Sequence, residues 1–133
     1  MSDLSELSAL ETAAAIRERQ VSAVEVTEAA LRRAEGDAWG AFVTLAPDLA
    51  LAQAAELDRR LAADPGFDRP LLGVPCPIKD LNPVAGVGFE AGSTAMRGNV
   101  AEIDDGIVEW LREAGTVMLG KTATPEFGFP CYT

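Results

Sequence analysis

Lys79 closes the short apolar run Val74-Pro75-Cys76-Pro77-Ile78 and opens onto the longest irregular stretch of the chain, in a sequence with no histidine. Acid-base chemistry here falls to a lysine, a carboxylate, a tyrosine or a cysteine. In an open parallel sheet, functional groups gather just beyond the carboxyl ends of strands, which is where Lys79 would sit. To act as a base it must lose its proton near neutral pH, a shift of roughly three units from about 10.4, or about 4 kcal/mol. Desolvation between apolar neighbours such as Ile78 is one route to such a shift. An Asp80 carboxylate on the same side would oppose the deprotonation, but alternation along a strand turns it to the opposite side. By spacing alone, a strand-end lysine that makes a structural ion pair or sits in solvent is the more common case.

The other reactive side chains carry blander readings. Cys76 and Cys131 form no C-x-x-C pair and have no histidine to complete a zinc site or a Cys-His pair, so both are expected as reduced, buried thiols. Glu102, Asp104 and Asp105 lack the spacing of a metal cage and are expected to cap a helix; no metal and no cofactor is expected. Phe127 and Phe129 could line an acyl pocket, with Phe127 the candidate substrate-binding residue, although core packing is the commoner role. Trp110, Met96 and Met118 are read as packing residues.

The elements that must position these groups are legible from capping and period. Ser8 with Glu11, and Ser22 with Glu25, have capping-box spacing, which predicts two helix starts with a break around Arg19 to Val21. Residues 41–45 suit a strand, and Pro47 opens a third helix that runs to about Ala63. Residues 64–70 form a loop that separates an Ala-rich helical half from a Gly- and Pro-rich half. Val74 to Ile78 then suits a strand, and residues 82–98 a long structured loop. Asp104-Asp105 can cap a helix in which Ile107, Val108, Leu111 and Ala114 share a face. Gly115 stops that helix, and Thr116 to Leu119 follows as a buried strand. Strand, loop, helix, glycine, strand is a βαβ-like crossover, so the fold class is α/β.

Composition sets the boundaries. At 133 residues, with 48% apolar and 24% charged residues, the chain suits one domain or a piece of a larger one. Its net charge of −10 repels phosphate backbones and anionic membrane surfaces, so neither nucleic acid nor membrane is an expected partner. No signal-peptide pattern follows Met1 and no apolar run reaches 18 residues, which points to the cytoplasm.

Five segments occur together in order: Gly73-Val74-Pro75 through Lys79-Asp80, Val84-Ala85-Gly86, Ala91-Gly92-Ser93, Leu111-Arg112-Glu113-Ala114-Gly115, and Gly120-Lys121-Thr122 through Pro125-Glu126-Phe127-Gly128. In this order and approximate spacing they resemble the amidase signature family over about residues 70–133. The resemblance implies a large α/β/α fold with a mixed central sheet and a Ser–cis-Ser–Lys triad that cleaves amides or esters, with Lys79 as its lysine. It implies a structural role for Lys121 and a structural turn around Ser93. Residues 1–133 are then expected to form one incomplete domain: a mainly helical part over 1–64 and the start of the catalytic α/β core over 70–133. The Gly/Ser-rich signature that supplies both serines has no counterpart in this sequence, so the isolated chain is expected to be inactive and to self-associate through exposed sheet edges. Ala123, where many relatives carry Asn, and Asn82-Pro83, in place of an apolar-Asp pair, depart from the pattern without touching Lys79. Two other readings remain: a subunit fragment of an aminoacyl-tRNA amidotransferase, and a non-catalytic interaction module.

Overall fold

The computed structural model describes residues 4–133; the first three residues of the helical N-terminal part lie outside the described residues. Helices α1 (Ala9–Arg17) and α2 (Ala23–Glu35) both begin with the expected capping boxes. The Glu11 N–H donates to Ser8 Oγ and the Ser8 N–H to the Glu11 carboxylate; Glu25 and Ser22 repeat the exchange. In each box the helix's orphan N–H groups and the carboxylate satisfy one another. Between the helices Arg19 adopts a left-handed φ of 58°, and its guanidinium reaches the Leu61 carbonyl at 2.7 Å, which ties the turn to the end of the next helix. That helix, α3, spans Pro47–Ala63. Its Asp58 accepts the N–H groups of Ala23 and Val24 at 2.8 and 3.1 Å, so one helix supplies a cap for the start of another.

Three strands, β1 (Phe42–Leu45), β2 (Pro75–Lys79) and β3 (Val117–Thr122), pair in the order β1-β3-β2. β3 runs antiparallel to β1 and parallel to β2, which makes the sheet mixed, and α4 (Gly106–Glu113) crosses over between β2 and β3. Apolar side chains cover both faces. Ile16, Val26, Leu31, Ala50, Ala54 and Leu61 pack with Val117 and Leu119 on the side of α1, α2 and α3. Ile78, Val84, Val87 and Met118 pack with Val108 on the side of α4. The result is a helix, sheet, helix arrangement around a short central strand.

The ladder between β2 and β3 is irregular in a way that matters for the site. Cys76 faces Met118 and Ile78 faces Lys121, so β3 holds one extra residue in the interval. Residues opposite one another point to the same side, and the bulge therefore turns Lys121 to the face of Ile78 and Met118. Without it, alternation would place Lys121 beside Val117 and Leu119, within the helical core. Gly120 lies at this irregularity, and a side chain there would run into the Thr44 carbonyl oxygen of β1.

Several sequence expectations need correction. Trp110 is 70% exposed and Ile107 is also exposed, because the eight-residue α4 meets the sheet only through the row of Val108 and Leu111. Phe127 and Phe129, at 46% and 89% exposure, lie outside both cores. Cys131 is exposed rather than buried, and Cys76 is half-buried, with burial pushing its thiol pKa upward. Among the described residues β3 lies between the other two strands and β2 has a neighbour on one side only, which leaves the exposed sheet edge that the sequence reading expects. Val74 and Asp80 hydrogen-bond toward β3, so Pro75 and Pro77 fall on the alternate positions that face the free edge. Neither has an N–H to offer there, which makes this edge a poor template for an added strand.

Gly120→Ala is expected to destabilise the chain by about 1–3 kcal/mol because it must push β1 away from β3. Gly106→Ala, with open space around the position, should be neutral or slightly stabilising. Urea unfolding of the two variants side by side checks this, and equal midpoints would refute the close approach. The capping boxes give a pH dependence. Ser8 hydrogen bonds, the side-chain one foremost, hold Glu11 below its ordinary 4.5, and the Ser22 backbone and hydroxyl do the same for Glu25. Carboxyls lowered by folding stabilise fully above 4.5, and that contribution is lost as the pH falls through their folded values. A Glu11→Gln/Glu25→Gln chain should therefore lose less stability than its parent between about pH 6 and about pH 3. Parallel losses in denaturant melts would count against the assignment.

Candidate active site

The carboxyl ends of the parallel strands β2 and β3 carry the chemistry-bearing residues. Lys79 and Thr122 face each other as the last pair of the ladder, and the Asp80 N–H continues it to the Thr122 carbonyl at 3.0 Å. Successive residues of β2 then divide between the two sides of the sheet. Asp80 points inward and is 3% exposed, while Lys79 points outward into solvent. The opposed orientation of Lys79 and Asp80 follows the alternation expected of a strand. Ile78 lies on the inner face with Asp80, on the opposite side of the strand from the exposed Lys79 side chain.

The inward side holds the group that the sequence underrated. Lys121 has no exposed surface, and its Nζ donates to Asp80 Oδ1 at 2.8 Å. The second carboxylate oxygen accepts the Glu90 N–H at 3.2 Å, and the Phe89 ring lies over the ammonium with its centroid 5.2 Å away. A fully enclosed ammonium is thus matched by one carboxylate and one aromatic face. Lys121 cannot meet a substrate from this position, which separates it from Lys79 as a candidate base. The signal was present in the sequence: a lysine inside Val-Met-Leu-Gly-Lys-Thr needs a buried acid, and Asp80 stands at the equivalent end of the neighbouring strand.

Two segments close over these strand ends. The stretch after β2 doubles back on itself: Gly86 and Phe89 donate to the carbonyls of Ala101 and Asn99, Ala101 returns a bond to Val87, and Gly88 bridges Val100. Val84 and Val87 pin it to the core. The stretch after β3 docks on it, since Phe127 N–H donates to the Ala91 carbonyl at 2.8 Å and Ser93 Oγ donates to Glu126 Oε1 at 2.7 Å. Ser93 is thereby committed to a turn. Gly92 is required at this crossing because a side chain would strike the Thr124 carbonyl. Ala91 and Phe127 both hold left-handed φ values, 49° and 47°, at the same junction. Such backbone strain collects where surrounding structure overdetermines a functional loop.

The acidic residues at the start of α4 act as caps. Asp105 accepts the Ile107 N–H and the Asn82 side-chain amide, with the Asn82 bond the larger influence lowering its pKa. Asp104 accepts the Ala85 N–H and pairs with Arg112. Among the described residues no cluster of His, Cys, Asp and Glu could hold a metal ion.

Known proteins with this pattern agree on its family. The family profile of the amidases matches residues 25–133. A glutamyl-tRNA(Gln) amidotransferase subunit of Dinoroseobacter shibae is 46% identical over 128 residues, an overlap that covers 93% of this chain and 26% of that protein. The structure of the peptide amidase of Stenotrophomonas maltophilia superposes with a TM-score of 0.78 at 36% identity, over 92% of this chain and 26% of its own. A bacterial aryl acylamidase of the amidase signature enzymes superposes with a TM-score of 0.84 at 29% identity, again over 92% and 26%. The chain thus spans about a quarter of the length of these relatives. With its mixed sheet, its parallel strand ends and the profile match through Lys79, the chain belongs to the amidase signature family.

Proposed function

We propose that residues 1–133 form the N-terminal part of a larger amide hydrolase, in which Lys79 is the base of a Ser–cis-Ser–Lys triad. The observation that carries this reading is the place of Lys79: the last residue of a parallel strand, with its side chain outward, in a chain that belongs to a family of amide hydrolases. The single incomplete domain divides into the helical part over 1–64 and the start of the catalytic core over 70–133. Both serines come from a longer polypeptide, since the sequence has no Gly-Gly-Ser-Ser run and Ser93 is bonded to Glu126.

In that enzyme neutral Lys79 takes a proton from the bridging serine, which activates the nucleophilic serine toward the amide carbonyl. Water then hydrolyses the acyl-enzyme. The amine must be neutral to begin, and the covering that desolvates it is supplied by the rest of the polypeptide, which packs over the outward face of β2. Phe127, half-exposed beside the junction with Ala91, is the substrate-binding candidate of this chain, and its exposure is compatible with that role. The substrate is a small-molecule amide. Free thiols, the −10 charge and the lack, among the described residues, of a helix long and apolar enough to cross a membrane support a cytoplasmic protein that binds neither membrane nor nucleic acid through this segment.

A second reading, as part of an amidotransferase, is favoured by the 46% identity to a subunit of such an enzyme. The purified full-length protein decides between them: an amidase hydrolyses linear, peptide or aryl amides on its own, whereas an amidotransferase subunit requires partner subunits and aminoacyl-tRNA. In either case Lys79→Ala should reduce kcat by about 10²–10⁴-fold with unchanged folding. Retained activity would remove Lys79 from the mechanism. The 133-residue chain alone should show no amide hydrolysis. It should also sediment as more than a monomer, through exposed apolar side chains such as Trp39, Ile103 and Trp110 more than through the proline-blocked β2 edge. A compact 14.0 kDa monomer at all concentrations would refute this association.

A further inference from the structure

Lys121 is the most deeply buried ionisable group of the chain's strand pair, and the proposed chemistry makes no use of it. It is enclosed at 0% exposure, paired with the residue next to Lys79, and brought to that side of the sheet by a bulge in β3. A structural lysine could have been replaced by an apolar residue, and buried ion pairs exchanged for well-packed apolar groups are often neutral or stabilising. The carboxylate it meets is what gives the arrangement a consequence. Asp80 is one residue from the amine that must become neutral, and an uncompensated negative charge there would favour the protonated amine.

We propose that Lys121 is a charge-compensating positioning residue for Lys79: it neutralises Asp80 on the inner face of β2 and so removes the field that would keep Lys79 protonated. This rests on the reading of Lys79 as the base. The charged groups of the strand ends and of the loops that close over them have these partners. From β2 there are Lys79 and Asp80, and from β3 there is Lys121. The following loop brings Glu90, whose carboxylate is turned away to the Gly98 N–H at 2.9 Å. The stretch after β3 brings Glu126, bonded to Ser93, and the start of α4 brings Asp104 and Asp105, occupied by Arg112, Ala85, Asn82 and Ile107. Asp80 is the carboxylate of this group that adjoins Lys79 in sequence and is matched by a lysine. The same pair fixes the end of β2, since Asp80 is held by Lys121, by the Glu90 N–H and, through its own N–H, by Thr122.

The chain lends itself to a direct test because Lys79 and Lys121 are its only lysines. Reductive methylation with carbon-13 labels the exposed Lys79 amine and the amino terminus, while Lys121 is enclosed; the Lys79 signal is assigned by its loss in Lys79→Arg, and its midpoint is read by NMR titration. Lys121→Met leaves the Asp80 carboxylate without its lysine partner. The Lys79 midpoint should rise by roughly half a pH unit or more. In Asp80→Asn/Lys121→Met, which removes both charges, it should return to the parent value within about 0.2 of a unit. Lys121→Gln, which can keep a hydrogen bond to Asp80 without the charge, should reproduce the rise and stands in if the Met variant does not fold. An unchanged midpoint in the folded single variants, or a rise that persists in the double variant, would overturn the proposal. Either result leaves the Lys79→Ala assay of the full-length protein unaffected, so failure here is distinct from failure of the amidase reading.

Discussion

An ammonium without exposed surface is retained in a protein interior only when a carboxylate lies within hydrogen-bond reach. In this chain that requirement joins Lys121 of β3 to Asp80 at the end of β2, and much of the local architecture follows from it. The pair forms only if β3 carries its bulge. A β3 without the extra residue would drive Lys121 into the apolar layer of Val117, Leu119 and the helices with no partner, at a cost of several kcal/mol. The ion pair therefore selects one register of the parallel ladder from those that the apolar pattern alone would permit. Gly120 gives the same register a steric side, because only a residue without a side chain lets β3 pass the Thr44 carbonyl.

The register then sets which residues reach the outside. With Ile78 and Asp80 assigned to the inner face, the Lys79 side chain lies on the opposite face of β2 and is exposed. Position at the end of a parallel strand is what this chain gives to Lys79. The loop after β2 is anchored by its own hairpin-like bonds and by Asp80, and the segment after β3 is anchored on that loop through Ala91 and Ser93. Two left-handed non-glycine residues at one crossing indicate that the path of these segments is imposed by their neighbours.

Covering about a quarter of its relatives' length, the chain holds the central strand of its own small sheet but leaves several large apolar side chains in solvent. Trp39, Ile103, Trp110 and Phe129 are all largely exposed. A polypeptide of the relatives' length has ample chain to cover them, which accords with the reading of residues 1–133 as part of a larger domain. The prolines of β2 limit what can pair at the sheet's free edge and leave side-chain packing as the main means of covering it.

How much of this was legible depends on the range of the interactions. Ser8 with Glu11, Ser22 with Glu25, Pro47, Asp105 and Gly115 act within a few residues of themselves, and so the helix starts and stops could be placed from the sequence. The parallel crossover followed from element order, five motifs in register identified the family, and the mixed sheet was implied by that resemblance. The burial of Trp110, Ile107, Phe127 and Phe129 was misjudged because apolar character does not say which face of a short helix or turn meets a neighbour. Ile78, the apolar neighbour of Lys79 in sequence, lies across the strand from it. What the sequence determined by itself were the local elements, their order and the family. What only the tertiary structure decided was the pairing of Asp80 with Lys121, 41 residues apart, and with it the side of the sheet on which each charge lies, because a bulge that re-aims every later side chain is fixed by contacts between strands and leaves no pattern within one.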